Sequence, residues 1–264
     1  MQNLYSETLL EQFFTDIFNI LKNSNNEIVE IWCHPSEIPF FKNVTASDLW
    51  DFIEKFEFIY FRRGNYTDYL IINKVLFILE SIKFLQFDIK RISEILDYNG
   101  FEKLIKEILS KNDYRTVKNF RFSDKSNFKS RTFQKRYEID VIGIYSKYIL
   151  IIDAKQWRRK DTFSSLNKAA NLQFRRVLAL KQNPEVFSRL IMTLLKPRRS
   201  IKKYLPFILI PIMVTIEDNN IKINDNQIPL VSIYEFNSFL QELPNNLHYF
   251  KTIQINKINF QKKL

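Results

Sequence analysis

The stretch Tyr137-Glu-Ile-Asp-Val-Ile-Gly-Ile-Tyr-Ser-Lys-Tyr-Ile-Leu-Ile-Ile-Asp-Ala-Lys-Gln-Trp157 decides how this chain is read. Two runs rich in Ile, Val and Tyr, at 137–144 and 148–156, flank the short turn Tyr145-Ser146-Lys147, which predicts an antiparallel hairpin. With the turn centred between Ser146 and Lys147, Asp140 stands opposite Asp153, and Glu138 opposite Lys155. Side chains alternate along a strand, so these four are expected on one face. Directly opposed Cβ atoms lie about 4.5–5.5 Å apart. Three carboxylates and an amine would share one patch.

Such a patch needs a cause, because like charges facing each other across a strand pair are destabilising. Ile142 and Ile151 continue the same face, so the acids border a hydrophobic core. A divalent cation between Asp140 and Asp153 would make the arrangement tolerable. Mg²⁺ takes oxygen ligands, usually one or two carboxylates together with waters and phosphate oxygens. In that position Mg²⁺ (or Mn²⁺) polarises a phosphodiester and acidifies an attacking water. Lys155 can orient that water or stabilise developing negative charge. The chemistry implied is phosphodiester hydrolysis.

Working outward, residues 101–110 carry Phe101, Leu104, Ile105, Ile108 and Leu109 at helical spacing. A basic, poorly periodic stretch follows at 111–136, with room for one more strand. After the hairpin come a helix at 164–181, an apolar strand at 206–215 and a helix at 232–243. That order predicts an α/β layer structure with a mixed sheet. Upstream, helices are expected at 6–22, 46–56 and 74–85, with a hairpin at 57–72 turning at Arg63-Gly64-Asn65. Helix followed by hairpin is winged-helix-like.

Charge divides the chain at the same place. Residues 1–98 hold 9 Lys/Arg against 15 Asp/Glu, and residues 99–264 hold 31 against 14; the nets of −6 and +17 return the total of +11. The change of sign falls at Asn99-Gly100, so the expected domains are 1–98, accessory, and 99–264, catalytic. A concentrated basic excess is the footprint of a polyanion-binding surface. An acidic accessory segment suits protein interaction or dimerisation better than phosphate binding.

Asp140, followed after a short hairpin by Asp153-Ala154-Lys155, resembles the Asp…(Asp/Glu)-x-Lys signature of the PD-(D/E)xK, or restriction-endonuclease-like, nuclease superfamily. That superfamily includes archaeal Holliday-junction resolvases and the Mrr-like and RecB-like nucleases. The likeness covers 99–243. It implies a restriction-endonuclease-like core with a mixed central sheet flanked by helices, and a Mg²⁺- or Mn²⁺-dependent endonuclease acting on DNA. Many relatives carry a metal-associated Glu on the first helix, which maps onto Glu102. Glu102 also lies three residues after Asn99, where it fits the Glu of an N-terminal capping box. The Pro that often precedes the first Asp is replaced here by Ile139.

Glu138 and Gln156 are placed beside this site rather than on the metal, and Gln156 should face away from it. Between Lys155 and Lys203, 14 Lys/Arg oppose only Asp161 and Glu185. Arg158, Arg159, Lys160, Arg175, Arg176, Arg198 and Arg199 are the expected phosphate contacts, gripping the backbone without reading sequence. Cleaving both strands of a duplex calls for two active sites, which makes a homodimer a fitting assembly. Alternatives are a catalytically inactive nuclease-fold protein that binds DNA, and a nuclease directed at RNA.

Other chemistries are disfavoured. Cys33, His34 and His248 lack zinc-ligand spacing. Three glycines leave no phosphate-cradling loop. One cysteine gives no internal disulfide, and no signal peptide is visible. The longest apolar run, 205–216, is about 12 residues with two prolines, too short for a bilayer. A cytoplasmic protein with no membrane partner is expected.

Overall fold

The computed structural model describes residues 6–84, 92–123, 136–156, 163–195, 201–216 and 222–258. The chain divides into two compact units, Met1–Leu104 and Ile105–Leu264. Among the described residues, no helix is long and apolar enough to cross a membrane.

In the first unit, α1 (Glu7–Lys22) presents Phe13, Phe14, Ile17, Phe18 and Leu21 along its buried stripe. Phe13 sits 4.9–6.0 Å, centroid to centroid, from the rings of Phe14, Phe40, Phe41, Phe52, Phe56 and Phe58. The pairs are edge-on or tilted, and ring contacts at this range add to the burial of apolar area. Thr45 accepts the Asp48 N–H and starts α2 (Ala46–Ile53). The expected hairpin forms from β2 (Ile59–Arg63) and β3 (Asp68–Asn73), and α3 (Lys74–Phe84) and the short α4 (Ile92–Ile95) follow. A strand not foreseen, β1 (Glu30–Cys33), completes a three-stranded antiparallel sheet in the order β1-β3-β2. Lys74 is fully buried, its Nζ donating to the Asn25 carbonyl at 2.8 Å. Burial lowers its pKa, and the charge of Asp97 opposes that shift.

The helix α5 (Tyr98–Lys111) runs across the division. Asp97 accepts the Gly100 N–H at 2.7 Å and provides the cap. Glu102 is therefore deeper in the helix than the capping box expected from Asn99 requires. It is 2% exposed and belongs to the first unit.

The second unit continues with β4 (Arg115–Ser123), β5 (Arg136–Tyr145), β6 (Tyr148–Lys155), α6 (Phe163–Gln182), α7 (Pro184–Leu195), β7 (Phe207–Thr215), β8 (Leu230–Ser232), α8 (Ile233–Asn246) and β9 (Ile253–Ile255). The sheet order is β4-β5-β6-β7-β8, with β9 on β7. Strands β4, β5 and β6 pair antiparallel, β6, β7 and β8 parallel. This is an α/β unit with a mixed sheet flanked by helices. Strand β4 occupies the basic stretch; α7, β8 and β9 were not foreseen.

Each face of the sheet is covered. On one, Ile142, Ile144, Ile149 and Ile151 join a core with Val177 and Leu180 of α6 and with Phe187, Leu190, Ile191 and Leu194 of α7. Each fully buried Ile of this kind stabilises by about 1.5–3 kcal/mol relative to exposure. On the other face, Gly143 meets α5. A Cβ built on Gly143 would stand 3.0 Å from Leu109 Cδ1 and 3.3 Å from Tyr114 Cδ1. Absence of a side chain lets the helix sit this close.

The β4–β5 ladder is interrupted once, between Lys118↔Val141 and Phe120↔Ile139. Asn119 takes a left-handed backbone there, with φ 53, and Asp140 stands across from it. The packing phase shifts at this point. Val117, Ile142 and Ile144 face the α6–α7 core on one side of the break, whereas Phe120, Phe122, Tyr137 and Ile139 face it on the other. Asp140 occupies the bend.

Candidate metal centre

The β5–β6 hairpin closes through Ser146 and Lys147 and pairs Tyr145↔Tyr148 through Val141↔Ile152, the register expected from the sequence. One residue further along each strand, past the last paired residues of the ladder, come Asp140 and Asp153. Asp140 is 7% exposed and Asp153 1%. Asp140 Oδ2 accepts the backbone N–H of Ala154 at 2.8 Å, which fixes its carboxylate against β6 beside Asp153.

Asp153 carries two cations. Lys155 Nζ lies 2.9 Å from Oδ2, and Arg176 Nη1 of α6 donates to Oδ1. The same Nη1 contacts Gln173 Oε1 at 3.0 Å. Gln173 is fully buried and donates through Nε2 to the Ile151 carbonyl at 2.7 Å. Gln173 and Arg176 stand three residues apart on one helix face, so the buried amide anchors the guanidinium. Asp153 Oδ2 is a buried atom that no donor among the described residues meets in hydrogen-bonding geometry, although the Lys155 ammonium is near enough for an ion pair. Lys155 and Arg176 remain partly exposed, at 23% and 17%.

Of the residues singled out from the sequence, Asp153, Lys155 and Arg176 are brought together, and Asp140 reaches the backbone of Ala154 between Asp153 and Lys155. Glu138 is not. It pairs with Arg121 of β4 at 2.8 Å, on the solvent side, instead of facing Lys155. The reason is the bend: parity along β5 holds from Tyr145 to Val141 and is lost at Asp140. Arg175 is exposed on α6 and Gln156 is partly buried after β6. Arg158, Arg159, Lys160, Arg198 and Arg199 lie outside the described residues. The Gln173–Arg176 contact to Asp153 was missed from sequence. Its only signal was a glutamine on the inward stripe of a basic helix.

Among the described residues, no three His, Cys, Asp or Glu side chains form a metal-holding group. Asp140 does reach the residue next to Asp153 through its bond to the Ala154 N–H, and Mg²⁺ commonly uses one or two carboxylates, completing its shell with waters and phosphate oxygens. The hard oxygens of Asp140 and Asp153, their burial and the Asp153 oxygen without a hydrogen bond fit such an ion. Cys33 offers no rival chemistry. Burial, reinforced by Glu37, pushes its thiol up to about 12, far from a reactive thiolate.

No family model matches the chain, and no curated protein matches it. Among solved structures it is similar to protein VC1899 from Vibrio cholerae, with a TM-score of 0.32 and 11% identity. The match covers 91% of this chain and 52% of that one, so this chain spans about half its length.

Proposed function

We propose that the second unit is a Mg²⁺- or Mn²⁺-dependent nuclease that hydrolyses DNA phosphodiester bonds, built on a restriction-endonuclease-like core. One observation carries the reading: the buried Asp140 accepts the backbone N–H of Ala154, the residue between Asp153 and Lys155, and Lys155 pairs with the buried Asp153. The strand order supports it, since a helix, three antiparallel strands, a helical crossover and a parallel strand follow in sequence. The net of +17 over residues 99–264 supports a polyanionic substrate.

A divalent ion, when bound, supplies Lewis-acid polarisation of the phosphate and a more acidic water. Asp140 and Asp153 would hold it, Asp140 kept in orientation by the Ala154 N–H. Lys155 projects its ammonium from the strand end beside Asp153, where it can orient a nucleophilic water or offset charge growing on the phosphate. Arg175 and Arg176 grip flanking phosphates.

A second reading is favoured by the Arg176–Asp153 pair. Two carboxylates and two cations balance, as in a nuclease-fold protein that binds DNA without cutting it. A single panel separates the readings: duplex DNA, branched DNA, single strands and RNA, each titrated with Mg²⁺ and Mn²⁺ against EDTA. Cleavage of DNA that requires metal is expected. Salt-sensitive binding with no cleavage of any substrate favours the second reading, and cleavage of RNA alone redirects the substrate assignment.

A further inference from the structure

We infer that Arg176 is the resident counter-ion of Asp153, displaced when a divalent cation binds, so that metal loading frees a guanidinium for the substrate phosphate. The inference rests on the metal site argued above and adds its regulation. Both oxygens of Asp153 already have a cation: Oδ1 has Arg176 and Oδ2 has Lys155. Charges of Asp140, Asp153, Lys155 and Arg176 sum to zero, so a dication entering without displacement would leave an excess of two positive charges in a largely buried site. Repulsion of that size is strong where the effective dielectric is low.

Arg176 is the cation built to leave. Lys155 shares a strand with Asp153, two residues away, whereas Arg176 reaches it from α6 through one nitrogen. That nitrogen also touches Gln173 Oε1, and Gln173 is anchored to β6 through the Ile151 carbonyl. Once Asp153 turns to a metal, the guanidinium keeps an acceptor and its remaining donors are available. A phosphate diester then serves both ion and arginine, since guanidinium pairs with phosphate in a charge-assisted, forked geometry. Arg176 is a positioning residue for Asp153 in the metal-free protein and a phosphate contact in the loaded one.

The test is Mn²⁺ binding to full-length, EDTA-stripped protein, read from the electron paramagnetic resonance signal of free Mn²⁺. Arg176→Gln removes the competitor and should tighten Mn²⁺ binding about tenfold, the scale expected for losing one charge-assisted hydrogen bond. Arg176→Lys keeps a weaker competitor and should fall between, which also serves if the Gln variant folds poorly. Lys168→Gln makes the same charge change at an exposed position of α6 and should bind like wild type. Equal or weaker binding by Arg176→Gln, or equal tightening by Lys168→Gln, overturns the inference. If wild type binds Mn²⁺ and cleaves DNA, that failure is confined to Arg176. If neither wild type nor Arg176→Gln shows saturable binding, the metal site itself is refuted, and the inference with it.

Discussion

Asp140 accepts the backbone N–H of Ala154 at 2.8 Å, one residue beyond the last backbone pair of the β5–β6 hairpin. An active-site candidate is thus also a structural acceptor, and the two roles separate by substitution. Asparagine keeps an oxygen for Ala154 and loses the charge. Alanine leaves a buried N–H without its acceptor, which costs about 1–3 kcal/mol. Urea unfolding should place Asp140→Asn within about 1 kcal/mol of wild type and Asp140→Ala clearly below it. Both should lose metal-dependent cleavage.

Glu138 gives the contrasting case. Its partner is Arg121 on the exposed side of β4–β5, so Glu138→Gln should leave cleavage and the unfolding midpoint unchanged. A loss of cleavage comparable to that of Asp140→Asn would return Glu138 to the site.

Gly143 is required by the approach of α5. A methyl group there meets Leu109 and Tyr114 at 3.0–3.3 Å, closer than side chains ordinarily pack. Gly143→Ala should destabilise by about 1–3 kcal/mol through overpacking, measured by chemical denaturation. Combining it with Leu109→Ala should restore part of the loss, since the two sites are in contact.

Lys74 supplies a pH signature in the first unit. Its folded pKa lies below the ordinary 10.5, so between the two values the unfolded chain binds more protons. Stability therefore rises with pH across that window and levels off above 10.5, while the cost of burying the charge is fully present below the folded value. Lys74→Met should lack this rise. Unfolding free energies of both proteins, measured from neutral to alkaline pH, check it; parallel curves would contradict it.

The hairpin was legible because two isoleucine-rich runs flank a two-residue turn, and Ser146 accepts the left-handed φ of 54 that such a turn needs. Register followed as far as Val141↔Ile152, which leaves Asp140 and Asp153 as the next residue on each strand. Strand β4 was legible only as room for a strand. Its inward residues, Val117, Phe120 and Phe122, are spaced by three and then two, because Asn119 breaks the alternation. Glu138 was misplaced by the same bend, acting on the partner strand. Strand β1 has only four residues, one of them fully buried, too short for alternation to show. The Arg176–Asp153 pair spans two elements 23 residues apart, and local periodicity carries no information about which arginine of a basic helix turns inward.

The most direct measurement is the rate at which Asp153→Asn cleaves supercoiled DNA at saturating Mn²⁺, relative to wild type, with both proteins shown to be folded. A drop of at least ~100-fold, with salt-sensitive DNA binding retained, is the expected result for loss of a metal-binding carboxylate. Cleavage at the wild-type rate would contradict a metal-dependent nuclease centred on Asp140, Asp153 and Lys155.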